Sequence, residues 1–204
     1  MGSVDLTGDV IEPELGRHIL AELASLNAGF LDLATSRVNG HALLPADQQS
    51  ALAGLSDAAK RRLADCAFAL FDLKLCNVQC WRQLRAGGAG DELRISGHTD
   101  NHEIGLFTLS ALMYLRHLAD VNRFFARLSF GAPLDVLRII STLPISRLRV
   151  IAHDYPGLLH TRFCSQPGAW AGLLRLASRS DTDTLLPATI LGYQHLGQQS
   201  AARE

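Results

Sequence analysis

Four cysteines in 204 residues, at positions 66, 76, 80 and 164, do not make a disulfide scaffold. A chain of this length buries a sufficient core without a disulfide or metal staple. Reduced thiols in a bacterial-type cytosol are therefore expected, with bridged cysteines as the alternative. Charge is also sparse, at 19%, while 48% of residues are hydrophobic, a globular balance that argues against disorder. Nineteen Lys and Arg meet 20 Asp and Glu, so the net charge is -1. That excludes a basic field over the whole surface for nucleic acid, but not a local patch. Met1 to Val10 lacks both a basic region and an apolar run, so no signal peptide is expected there. Leu6 breaks a myristoylation pattern. The longest strongly apolar stretch, Ile104 to Leu115, is short for a bilayer span. A soluble, cytoplasmic protein with no membrane partner is expected. There is no Gly-x-Ser-x-Gly, no P-loop and no dinucleotide fingerprint. No catalytic residue, cofactor or small-molecule substrate is predicted.

What the sequence does have is helical periodicity. Leu15, Ile19, Leu23, Leu26, Phe30, Leu33 and Ala34 recur at threes and fours, predicting a helix from Glu14 to Val38 that ends at Asn39-Gly40. Pro45 to Leu52 reads as a short helix, and Ser56-Asp57 caps a third running to Cys66. Phe68 to Leu75 alternates only in part and reads as a connector rather than a strand. A short helix around Trp81 closes this half. Arg85 to Gly97 carries Gly87, Gly88, Gly90 and Gly97 and reads as a linker.

The strongest helix is predicted from Glu103 to Ser129. Phe107, Ala111, Leu115, Leu118, Val121, Phe125 and Leu128 form its stripe, which Leu112 and Phe124 widen. A stripe that broad serves either a central core helix or a dimer interface through Phe107, Leu115, Leu118, Val121 and Phe125. Short helices follow over Leu134–Ser141, Pro144–Ala152 and Trp170–Leu176, with Leu158–Phe163 as another connector. Ser180-Asp181 can cap a last helix with Leu185, Leu186, Ile190, Leu191 and Leu196. The expected fold is all-α.

Comparing the halves is informative. Leu55 to Cys76 aligns without gaps on Leu143 to Cys164, at an offset of 88, with identities at Leu55/Leu143, Arg61/Arg149, Ala64/Ala152, Leu70/Leu158 and Cys76/Cys164. One inserted residue later, Trp81 matches Trp170 and Leu84 matches Leu173. This predicts two tandem related units, residues 1–86 and 103–204, joined by a linker over 87–102. Two such units can pack with pseudo-twofold symmetry, as an isologous dimer does.

His98, Asp100 and His102 alternate before the long helix and would suit zinc or iron if extended. The competing reading is a cap, with Asp100 or Asn101 at the helix start and Glu103 on its dipole. No metal is therefore assigned, although a metal-dependent enzyme using these three residues is kept as an alternative. Cys76, Cys80 and Cys164 read as structural, as do Trp81 and Trp170.

The second half carries a specific run of residues. A long helix ends in Ala126-Arg127-Leu128-Ser129-Phe130-Gly131, followed by Thr142-Leu143-Pro144 and Arg149-Val150-Ile151-Ala152. The run finishes at Leu158-Leu159-His160-Thr161-Arg162-Phe163. This resembles the FlhD family, the small helical subunit of the enterobacterial flagellar master transcription regulator, over about Phe107 to Phe163. The first half shares Leu55-Ser56, Leu63-Ala64 and Leu73-Lys74-Leu75, and resembles the family through the repeat. The resemblance implies an all-α protein that dimerises through its long helices and works in a transcription complex whose second subunit supplies much of the DNA contact. The chain departs from that family in carrying the unit twice.

The near-neutral total hides polarity. Met1 to Gly54 holds seven acidic and two basic residues, while Phe125 to Ser180 holds seven arginines against Asp135 and Asp154. The helices around Leu143-Pro144 loosely imitate a helix-turn-helix, making Arg138, Arg147, Arg149 and Arg162 DNA-contact candidates. The alternative is that these arginines are solvated or pair with acidic groups. The expected function is a non-enzymatic regulator that associates with a protein partner or itself, in transcription and motility, with DNA contact by the basic half. A protein-interaction module or chaperone without DNA is the alternative.

Overall fold

The computed structural model describes residues 13–36, 43–88, 102–164 and 166–179. The predicted last helix, Met1 to Val10 and most of the glycine-rich linker lie outside them. In chain order the elements are α1 (Pro13–Thr35), α2 (Ala46–Ala53), α3 (Asp57–Ala64), β1 (Phe71–Asp72) and α4 (Val78–Ala86). Then come α5 (His102–Val121), α6 (Arg123–Phe130), α7 (Leu134–Thr142), α8 (Ile145–Asp154), β2 (His160–Thr161) and α9 (Pro167–Ser178). The fold is helical, as the periodicity predicts.

Short polar residues start several helices. The Ser56 hydroxyl accepts from the Ala59 N–H, and the side-chain oxygens of Asn77 and Asn122 accept from the N–H groups of Cys80 and Phe125. Asn122 also divides the long helix predicted from Glu103 to Ser129. Its extended backbone (φ −150°) ends α5 and starts α6, so Phe125 and Leu128 belong to a second helix. Phe130 on α6 returns to within 6.0 Å of Tyr114 on α5, between ring centroids. Gly131 then ends α6 at φ 66°, a left-handed position that glycine enters without Cβ strain.

α1 and α5 run antiparallel. The Tyr114 hydroxyl donates to the Ile19 carbonyl at 2.6 Å, while Gly29 faces the Phe107 ring near the other end. Their buried stripes correspond at a spacing of 88: Leu23, Asn27, Phe30, Leu31 and Ala34 against Ala111, Leu115, Leu118, Ala119 and Asn122. The same spacing relates the starts of α2 and α7, each preceded by an extended proline, Pro45 or Pro133. It also relates the starts of α3 and α8.

The two segments predicted as connectors contain the strands. β1 and β2 pair antiparallel, Phe71 opposite Thr161 and Asp72 opposite His160. From here the spacing is 89, and it includes the positive-φ residues Lys74 and Phe163 and the two tryptophans. The extra residue therefore falls before the strand, in the longer α8 and its following 3-10 turn (Pro156–Leu158), not after Cys76 and Cys164. Those two cysteines are exposed, against the expectation that they pack.

The last described helix of each half crosses to the other. α9 packs on α2 and α3, and α4 packs on α7. One continuous core results, with Phe71 within 4.9 to 5.9 Å of the rings of Phe30, Phe107 and Phe130. By length and composition α5 is apolar enough to cross a membrane, longer than the run from Ile104 to Leu115 indicates. Half of that window is buried inside the fold, with Leu112, Leu115 and Leu118 fully enclosed.

Candidate interaction surfaces

The four candidate arginines fall into three environments. Arg138 is exposed, its side chain 3.5 Å from Asp135 one turn earlier on α7. An exposed pair of this kind contributes little to stability and leaves the guanidinium in water. Arg149 is exposed on α8. Arg147 is half-buried, and its Nε and Nη2 donate to the Leu84 carbonyl at 3.1 and 2.6 Å. That carbonyl lies in the last turn of α4, where helix carbonyls lack intrahelical donors and favour a cation.

Arg162 is buried, at 6% exposure. Its Nη1 donates to the carbonyls of Ala69 and Ser129, and its guanidinium lies 5.6 Å from the centre of the Phe163 ring. It ties the end of α6 to the β1 segment and does not face solvent. Burial removes it from the set that can meet a partner, a correction that the spacing along the chain gave no means to anticipate.

The proposed interface stripe is likewise largely internal. Leu115 and Leu118 are fully buried, Phe107 and Phe125 are half-buried, and Val121 alone is exposed. Phe107 packs edge-on against Phe71. The breadth of the stripe reflects two contacts within one chain, since α5 packs against α1 on one side and against α6, α7 and α8 on others.

His102 is exposed at the start of α5, while His98 and Asp100 lie outside the described residues. Among the described residues no group of three or more metal-ligating side chains comes together. Burial first, then Asp65, pushes the Cys66 thiol up to about 12, which keeps it protonated and unreactive. Burial first, then Glu22, raises the Tyr114 hydroxyl well above its usual range. Burial first, then Lys74, lowers His160, against opposing effects of Asp72 and a backbone contact at Gly157.

The chain matches no protein-family model, no curated protein and no solved structure. Function must therefore be argued from its own geometry.

Two features escaped the sequence. Asn27 is fully buried in the α1 stripe, and its Nδ2 donates to the carbonyls of Ala64 and Phe68 at 3.0 Å and reaches that of Cys66 at 3.4 Å. Its Oδ1 accepts from the Leu70 N–H. A polar residue lodged between Leu23 and Phe30 at helical spacing was the available signal. The second feature is Arg62 on α3, which donates to the Ala177 carbonyl in the last turn of α9 at 2.7 Å. Arg147 makes a contact of the same kind from α8 to α4, although at the spacing of 88 its position corresponds to Ala59 and that of Arg62 to Val150.

Proposed function

We propose that the protein is a tandem duplication of an FlhD-like helical unit, working as a non-enzymatic regulator through protein association. In this reading one chain takes the place of a homodimer. The observation that carries it is the crossing of the last described helices, with α9 packed on α2 and α3 and α4 packed on α7. The two-residue strands support it, because they lie 89 residues apart at corresponding places in the two halves and pair with each other antiparallel. The buried stripe of α5 is then spent inside the chain, so a regulatory partner must use the outer surface. The setting is transcription and motility control in a bacterial cytoplasm. The test is affinity purification of the full chain from its host, together with transcript profiling of a deletion strain. Co-purification of a regulatory protein at fixed ratio, with altered motility transcripts, is expected. Unchanged transcripts and unchanged motility overturn the reading.

One observation favours DNA contact as part of that role. The described residues hold 16 Lys and Arg against 11 Asp and Glu, a net of +5, while the remaining segments hold 3 against 9. The net charge of −1 thus conceals a basic body. Arg138 and Arg149 stay exposed, as do Arg82 and Arg85 on α4. Fluorescence anisotropy with duplex DNA should show binding that falls steeply with salt and weakens in Arg138→Glu/Arg149→Glu. Binding that ignores both changes removes DNA from the reading.

A further inference from the structure

Phe124 on α6 is the most exposed large hydrophobic side chain among the described residues, at 64%. It does not stand alone. At about 100° per residue, Arg123, Arg127, Phe124 and Leu128 follow one another at about 0°, 40°, 100° and 140° around the helix axis, with no other α6 residue between them. Arg123 and Arg127 are exposed and Leu128 is half-buried. Phe125, Ala126, Ser129 and Phe130 take the opposite arc, where the last three are buried. The outer face of α6 is therefore one continuous strip, apolar along one side and cationic along the other. α6 itself has no carboxylate, and among the described residues neither arginine has an ion pair. Asp120, exposed in the last turn of α5, is the acidic residue nearest in sequence.

The register of α1 on α5 says which part of the chain leaves the described fold beside this strip. Ile19 meets Tyr114 and Gly29 meets Phe107, so the two helices run in opposite directions. Pro13, the start of α1, lies about 9 Å beyond Ile19, and Asp120 lies the same distance beyond Tyr114. The start of α1 is thus level with the α5–α6 junction at Asn122. Tyr114 also holds α6, through the Phe130 ring at 6.0 Å, so it touches both helices. The glycine-rich segment leaves elsewhere, from the end of α4, where Arg147 of α8 is bound. The residues after Arg179 leave from α9, which packs on α2 and α3.

The 12 residues before Pro13 lie outside the described ones, and their composition is the complement of the strip. They hold Asp5, Asp9 and Glu12 with no lysine or arginine, interleaved with the apolar Val4, Leu6, Val10 and Ile11. Twelve residues reach at most about 40 Å when extended, several times the length of an eight-residue helix at about 12 Å.

We propose that the outer face of α6 is the docking site of the chain's own residues 1–12, with their apolar residues on Phe124 and Leu128 and their carboxylates toward Arg123 and Arg127. The inference does not rest on the resemblance to FlhD. A tethered segment meets the face at about millimolar effective concentration, so it excludes any free acidic partner that binds more weakly than that.

The test places the photoreactive p-benzoylphenylalanine at position 124 of the full chain, where an exposed aromatic already stands. After irradiation, mass spectrometry locates the attachment by residue. An intramolecular link from 124 to residues 1–12 is expected, with none from the same group placed at 106, exposed on α5. Arg123→Glu/Arg127→Glu should lower the yield by about threefold or more, and so should 1 M salt, where screening acts over about 3 Å. Asp5→Arg/Asp9→Arg in the same chain should restore it. Circular dichroism melts confirm that each variant stays folded, as substitutions at exposed positions allow. No link to residues 1–12, or a link at 124 that joins two chains, overturns the proposal. So does a link that ignores the charge reversal and the salt, because chance encounters of a tethered chain give the same.

Discussion

α3 and α8 start 88 residues apart in the sequence and bury corresponding residues, Leu63 and Ala64 against Ile151 and Ala152. Their outer faces differ. α3 turns Asp57, Ala58 and Arg61 to solvent, and α8 turns Ile145, Ser146, Arg149, Val150, His153 and Asp154. Inward positions are held by the volume and shape of the core, where even one methylene is felt. Outward positions answer only to water and partners, so they are free to differ. The same contrast holds between α1 and α5. Both bury matching stripes, yet α1 places Asn27 where α5 places Leu115. Asn27 serves the segment from Ala64 to Leu70 through backbone bonds, a duty that Leu115 cannot perform.

The comparison can be broken most severely at Asn27. Asn27→Leu, which makes α1 resemble α5, strands the Leu70 N–H and the carbonyls of Ala64 and Phe68. A loss of about 3 to 5 kcal/mol is expected in chemical denaturation, several times the net value of one hydrogen bond because buried groups are left unmatched. The reverse resemblance is not available, since an asparagine at 115 would be enclosed without those partners.

Arg162 and Arg149 come next. Arg162→Met removes the donor to Ala69 and Ser129 and should cost about 2 to 4 kcal/mol. Arg149→Met, on an exposed face, should stay within about 0.5 kcal/mol. Equal effects in urea melts would show that burial does not separate these two arginines.

The tryptophans give a smaller contrast. Both are buried, but the Trp170 indole N–H donates to the Arg162 carbonyl at 2.8 Å, whereas the Trp81 indole N–H has no hydrogen-bond partner. Trp170→Phe should cost about 1 kcal/mol more than Trp81→Phe. Similar melting temperatures for the two variants would remove that distinction.

The smallest expected effect is a pH dependence from His160, whose strand partner position is Asp72. Its folded pKa lies below the usual value, so the unfolded chain takes up a proton first as the solution is acidified. Stability from this group is full above about pH 6.5 and is lost as pH falls from there toward the lower folded value. His160→Asn should flatten denaturation midpoints across that window. An undiminished slope would assign the dependence to another group.

Much of the architecture was legible because its signals are local. The caps at Ser56, the proline before α2 and the apolar stripe of α1 act within a few residues of the chain. The division of α5 from α6 was harder to see, because the stripe continues through Asn122 without a break in hydrophobicity while the side chain caps a new helix. Among the site candidates, the sequence identified arginine as abundant in the second half but not which arginines face inward. Arg138 and Arg162 differ in neither type nor local polarity, only in what lies opposite them.

The sequence by itself determined the helical class and most helix starts, since backbone bonds four residues apart and side chains three or four apart report on short windows. Only the tertiary structure decided the rest. A two-residue strand such as Phe71-Asp72 exists because His160-Thr161 arrives from 89 residues away to pair with it. The crossing of α4 and α9, the burial of Arg162 and the packing of α5 on α8 depend in the same way on groups brought together by folding. Long-range packing sets which side of a helix meets water, and that choice leaves no mark on the helix's own periodicity.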